Sequence, residues 1–370
     1  MCGASDGTIC YRPSATVMSR TLSTLSTLST LSTLSTLSTL RTLSTLIALA
    51  AGLQPSSLPD AVVYGQAAAV QALITGGADV NAPDDNGLTP LALAAMQGQT
   101  AIARLLIAAK ANVNEASSDG TTPLMRAASA DHGDTVTLLI ASGADVQARN
   151  SGGMTALMVA AFGGYAGPAG ALLASKADPN AKDNQARTAL MAAVTNGDTA
   201  VVRALLGAGA DANAADAGGG VVMTYAAAAG SAEAIDLLRQ RGAKATARDL
   251  ILAATGCYTD AVRVLLASGL KPDVAVDGNA PLLAAAGERC VDTVALLLDN
   301  GADVNITNDD GWTPLIKAAS ANLPEVVRVL LQHHANLDAV DRLDRTAWMY
   351  AGMAGREEIL AMLNETKAKK

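Results

Sequence analysis

The sequence predicts an all-α solenoid, and three observations carry that expectation. A five-residue phrase recurs at near-constant spacing, a second phrase stays in phase with it, and aromatic residues are almost absent from the apolar fraction. The first phrase opens at Gly77 as Gly-Ala-Asp-Val-Asn and returns at Lys110, Gly143, Lys176, Gly209, Gly242, Gly269, Gly301 and His334. The steps are 33, 33, 33, 33, 33, 27, 32 and 33 residues. A fixed period of this size means units that bury their apolar faces only against their neighbours, offering an extended surface rather than a deep pocket. Half of the residues are hydrophobic but 2% are aromatic, with one Phe. A core of Ala, Leu and Val suits closely stacked helices and leaves little with which to wall a large cofactor.

Each period opens with a helix start. Thr89-Pro90-Leu91, Thr122-Pro123-Leu124, Thr155-Ala156-Leu157, Thr188-Ala189-Leu190, Thr313-Pro314-Leu315 and Thr346-Ala347-Trp348 share one form. The Thr hydroxyl can cap free backbone N–H groups, and Pro suits the first turn. Small residues follow at +3 and +4 from the Leu, as in Ala94-Ala95 and Ala160-Ala161. That spacing places them on one helical face, where they let a neighbouring helix approach. A polar turn such as Asn196-Gly197-Asp198 leads to a second apolar helix with a Val-x-x-Leu-Leu pattern, as at Val202, Leu205 and Leu206. Gly then supplies the left-handed stop. Lys110, Lys176 and His334 stand in that slot at an expected cost of about 1 kcal/mol each. An Asp-, Asn- and Gly-rich turn such as 82–87 closes the unit.

Helix, turn, helix, turn at this period, with Thr-Pro-Leu-x-x-Ala-Ala and Gly-Ala-Asp-Val-Asn in phase, resembles the ankyrin repeat family. Projecting the Leu slot gives Leu58, Leu91, Leu124, Leu157, Leu190, Met223, Leu250, Leu282, Leu315 and Trp348, hence about ten units over 54–366. Residues 1–50 lie outside the array and 367–370 read as a charged tail. The resemblance implies turns that project as β-hairpin-like fingers, and a protein partner held along the fingers and the concave face of the first helices. Carried onto this chain, it nominates Asp85, Leu88, Asp119, Arg149, Met154, Asn184, Arg187, Asp310, Trp312, Arg342 and Arg345 in the fingers. On the helix face it nominates Met96, Gln97, Phe162, Thr195, Asn196 and Glu288. Trp312 has two readings, a binding hot spot or packing on the adjacent finger.

Two units depart from the pattern. The step from Gly242 to Gly269 is six residues short, and the loss falls in the finger before Leu250. We expect a gap there, flanked by the fingers at 214–220 and 306–312, with Trp312 on its rim and Leu250–Ala254 unusually open. The unit at Phe162-Gly-Gly-Tyr-Ala-Gly-Pro168 carries Gly170 inside its second helix and reads as a soft joint.

Residues 21–46 repeat Thr-Leu-Ser, a three-residue period that fits neither a strand nor a helical stripe. The run at 43–50 is apolar but too short to span a bilayer, and Ala48-Leu49-Ala50 matches a small-x-small cleavage pattern. The expectation is an export signal cut near Ala50, giving a secreted or periplasmic chain; the alternative is an uncleaved cytoplasmic tail. Two cysteines would then remain, Cys257 and Cys290, in the turns of adjacent units. Stacked helices lie about 8–10 Å apart, slightly beyond disulfide reach, although turns can converge; a disulfide and two idle thiols are both open.

A net charge of −8 disfavours nucleic acid, whose affinity rests on Lys and Arg. The acids sit mainly in the turns, where they build the turn or attract a basic partner. The histidines His132, His333 and His334 form no metal motif, and no phosphate loop, dinucleotide fingerprint or nucleophile elbow occurs. No cofactor and no metal are expected. The leading reading is a monomeric, non-enzymatic protein that binds a partner protein. The alternative is a regulator or inhibitor subunit of an exported enzyme; a hydrolase would need a converging acid, base and nucleophile.

Overall fold

The computed structural model describes Pro55 and residues 57–369, and the expectations for residues 1–50 lie outside that span. The described chain is ten helix pairs. The first five are α1 Leu58–Val63 with α2 Ala67–Thr75, α3 Pro90–Met96 with α4 Thr100–Ala108, α5 Pro123–Ser129 with α6 Gly133–Ala141, α7 Ala156–Gly163 with α8 Ala166–Ala174, and α9 Ala189–Asn196 with α10 Thr199–Gly207. The next three are α11 Val222–Ala228 with α12 Ala232–Gln240, α13 Ala247–Thr255 with α14 Thr259–Ala267, and α15 Pro281–Ala286 with α16 Val291–Asp299. The last are α17 Pro314–Ser320 with α18 Pro324–Gln332, and α19 Ala347–Met353 with α20 Glu357–Ala368. The final helix thus absorbs Lys367 and Ala368, which the sequence had suggested belong to a tail.

First helices stack on first helices and second on second. The Leu slot explains why. Leu91, Leu124, Leu157, Leu190, Met223, Leu250, Leu282 and Leu315 are all essentially inaccessible, as are the paired small residues at +3 and +4. Burying one such Leu contributes about 2 kcal/mol, and the small pair sets how closely the helices approach. Trp348 holds the slot in the tenth pair and is 50% exposed.

The caps follow the sequence. Thr89 Oγ1 accepts from Ala92 N–H at 3.2 Å, and Thr122, Thr155, Thr188, Thr313 and Thr346 repeat the bond. Lys110, Lys176 and His334 adopt φ of 71°, 65° and 63°, so they take the left-handed stop despite their Cβ.

In six units the last residue of the first phrase clamps the unit to the next. Asn81 Oδ1 accepts from Asn112 N–H at 2.8 Å and Asn114 Oδ1 from Asp145 N–H at 2.8 Å. Gln147, Asn180, Asp273 and Asn305 do the same for Asp178, Asp211, Asp303 and Asn336. Asn180 also donates to Gly209 O at 3.0 Å. The fingers carry their own ladder: Ser151 N–H to Asp119 O, Asn184 N–H to Gly152 O, Ala217 N–H to Gln185 O and Arg342 N–H to Asp310 O, at 2.9–3.0 Å. The only bridges of β type among the described residues are isolated, Ala215–Val221 and Val276–Asn279.

The expected gap is present, with different neighbours. Helix α13 begins at Ala247, directly after Thr246, so this unit has no finger. The next finger is Val276–Asn279 rather than 306–312, which removes Trp312 from the rim. Leu250, Ala253 and Ala254 are also fully buried, because helix stacking, not the finger, covers them. The soft joint is less visible: α8 runs continuously through Gly167 and Gly170.

Candidate functional site

Most fingers are built around one acidic or amide residue, the one at Val276–Asn279 being closed by backbone bonds. Asp84 Oδ1 accepts from Asn86 and Leu88 N–H at 2.9 and 2.8 Å. Asn150, Asp183, Asp216, Asn308 and Asp341 hold their turns in the same way. Asp119 accepts from Ser117 Oγ and from both N–H and Oγ1 of Thr121. The Ser117 bond, helped by those of Thr121, draws its carboxyl down to about 2. At Asp341, burial pushes the carboxyl up, but hydrogen bonds from Tyr350 and Arg345 outweigh it and leave the group well below the usual range. At Asp84, Asp119, Asp183, Asp216 and Asp341, then, the acid is structural.

This geometry sorts the nominated residues. Leu88 is buried and faces the core, because its slot closes the finger base onto the helix start. Met154 is half-buried in the equivalent slot. Arg149 is exposed but its guanidinium donates to Lys182 O of the next finger. Asn184 Nδ2 donates to Ser151 O at 2.8 Å, tying its finger back to the preceding one. Arg187 pairs with Asp183 at 2.8 Å. Asp310 pairs across fingers with Arg342 at 3.5 Å. Arg345 pairs with Asp341 at 2.8 Å and lies 4.6 Å over the Tyr350 ring. Trp312 is half-buried, its ring centroid 5.0 Å from that of Tyr350. The packing reading of Trp312 therefore fits the structure better than that of a free tip.

Several nominated side chains stay on display, among them Thr195, Asn196 and Glu288 on the helix face. Asp85 is exposed at the first finger tip, and Phe162 is 70% exposed at the end of α7. Phe162 lies five residues after its Leu slot. The same position holds Met96, half-buried, and Ser129, Thr195, Ala228 and Thr255, all exposed. This makes a stripe of uncharged side chains along the first helices. At +2, Arg126 and Lys317 border it; burial lowers the pKa of both.

Several residues escaped sequence reasoning. The Asn clamps were visible only as the last letter of a phrase. Tyr225 and Tyr350 each lie nine residues beyond a finger Asp, and their hydroxyls donate to Asp216 and Asp341; that spacing is a readable signal. Asp249 is fully buried. It accepts from Thr246 N–H and Oγ1 at 2.7 and 2.8 Å and from Thr224 Oγ1 at 2.8 Å.

Among the described residues there is no group of three His, Cys, Asp or Glu side chains able to hold a metal. No described helix is long and apolar enough to cross a membrane. His132 Nε2 lies 3.2 Å from Met96 O, bracing one turn on the preceding unit. The cysteines are joined: the turns converge to a Cα–Cα distance of 4.8 Å between Cys257 and Cys290.

An interaction surface carried on stacked helix pairs defines a repeat-type binding module. The family model for ankyrin repeats matches residues 58–150, 157–249, 250–308 and 300–370, and the chain belongs to the ankyrin repeat family. Members of this family are generally protein–protein interaction modules and typically non-enzymatic. The comparison with curated proteins gives no match.

Proposed function

We propose that this protein is a non-enzymatic binding array that holds a partner protein against the first-helix face, with Phe162 as the central anchor. The observation that carries this reading is the exposure of Phe162, 70%, in a chain that has one Phe. Exposed aromatic side chains in an otherwise uncharged stripe supply contact area at low entropic cost, and aromatic anchors dominate interface energetics. Neighbouring Thr195, Ala228 and Thr255 leave room for the partner to reach the helices. The test is affinity capture from the native host with wild type and Phe162→Ala in parallel. A specific protein retained by wild type and lost by the variant, at unchanged helical content, supports the reading; equal retention by both overturns it.

We also propose that the chain is exported and acts on an exported partner, an enzyme that it regulates being the second reading. The Cys257–Cys290 bond favours this, because structural disulfides persist in oxidising compartments. The small-x-small run at Ala48-Leu49-Ala50 supplies a matching cleavage pattern. Mass spectrometry of the protein from its host should find an N-terminus near Ala51. Recovery of an intact N-terminus from the cytosol would contradict export.

A further inference from the structure

Seven residues after the Leu position, in every unit but the eighth, the backbone turns left-handed. Gly98, Gly164, Gly197, Gly230 and Gly355 fill this slot, with Asp131 and Asn322 in two further units. Cys257 occupies it with φ +58°, a conformation that any residue with a Cβ resists. The crowding is visible at Gly98, where His132 of the next unit lies against the turn. A Cβ on Gly98 would sit 2.5 Å from Nδ1 of that ring. In the seventh and eighth units the same two slots hold Cys257 and Cys290, and the contact between turns has become covalent.

This bond stands where the finger coupling is missing. The seventh unit has no finger, so it takes no part in the ladder that links its neighbours' fingers. Toward the sixth unit, Asp249 reaches Thr224 instead. Toward the eighth, beside the stacked helices, the couplings are the Asp273–Asp303 clamp and the Thr259–Thr293 hydroxyl pair, each at 2.8 Å, and the disulfide. The two cysteines differ in access: Cys257 is exposed and Cys290 is buried.

We propose that Cys257–Cys290 is a redox modification site that sets the coupling between the seventh and eighth units. A thiolate of a dithiol reductant attacks Sγ of Cys257, the more exposed cysteine, and the S–S bond breaks. Cys290 leaves as a thiolate and takes up a proton. The reductant's second thiol then displaces Cys257, so the protein gains two electrons and two protons while the reductant becomes a disulfide. Reduced, the array keeps its helices but loses the covalent tie beside the gap. The first-helix surface can then flex at that joint.

Amide hydrogen exchange on the full chain, read by mass spectrometry, tests this directly. With dithiothreitol, exchange in residues 247–299 should quicken at least ten-fold, while residues 90–207 stay unchanged. Cys257→Gly restores the residue common to this slot and removes the bond; it should exchange fast with or without dithiothreitol. Exchange in 247–299 that ignores reduction, or that stays slow in Cys257→Gly, overturns the proposal. Free alkylation of both cysteines in unreduced protein from the native host overturns it as well.

Discussion

Trp312 packs against Tyr350 of the following unit at an interplanar angle of 53°, and Tyr350 in turn donates its hydroxyl to Asp341 at 2.6 Å. The pair ties the last two fingers together. Removing a half-buried aromatic partner of this kind costs about 2 kcal/mol. Trp312→Ala should lower the melting temperature and leave the affinity of the folded fraction for its partner unchanged. A double-mutant cycle with Tyr350→Ala should show coupling of about 1 kcal/mol. Full stability with weakened binding would return Trp312 to the role of a hot spot.

Asp249 is the polar anchor of the unit without a finger. Its carboxylate satisfies three donors from Thr246 and Thr224 while wholly buried. Loss of charge-assisted bonds at a helix start costs about 2–3 kcal/mol. Asp249→Ala should show that loss in urea unfolding, and Asp249→Asn, which keeps an acceptor for Thr246 N–H, a smaller one. Equal stability of Asp249→Ala and wild type would refute this anchor role.

Asn180 makes two bonds to the next unit, to Asp211 N–H at 2.7 Å and Gly209 O at 3.0 Å. The site is exposed, so water replaces both, and Asn180→Ala should cost about 1 kcal/mol. Combining it with Asn114→Ala, in another unit, should give a near-additive loss. Strong non-additivity would mean that the clamps act as one body.

Acid should loosen the array through its finger carboxylates. Asp119, with a folded pKa of about 2, and Asp341, also lowered, are held below the unfolded value of about 3.9. Groups with a depressed folded pKa bind more protons when unfolded. Their stabilisation is therefore present above about pH 4 and is lost as pH falls toward the folded pKa, about 2 for Asp119. Melting temperature should drop across that window, and Asp341→Asn should flatten the drop. A melting temperature independent of pH from 5 to 2 would contradict it.

The fold was legible because its determinants are local and repeated. Thr-Pro-Leu starts a helix wherever it stands, the small pair sets helix spacing, and Gly ends the second helix. The site was less legible because exposure depends on neighbours one period away. Leu88 and Trp312 read as tip residues from position alone, yet the first closes the finger base and the second meets Tyr350, 38 residues on. The neighbours of the gap were misplaced for the same reason, since the short finger at Val276–Asn279 lacks the Thr-Pro-Leu signature. Phe162 is exposed on its helix, as its position in the unit led one to expect.

The amide clamps make this chain cut-and-paste material in one stretch and not in another. From Asn81 to Asp211 every clamp spans 31 residues from acceptor to donor, so a 33-residue segment excised or duplicated there meets a matching partner at both ends. Copy number in that stretch can drift without refolding the neighbours. The seventh unit is different: besides its Asp273 clamp it carries a carboxylate that fits Thr224 and a sulfur that fits Cys290, and neither of these two has a counterpart among the other described units. It is therefore a fixed landmark, and any lengthening or shortening of the binding surface across generations should occur on its N-terminal side.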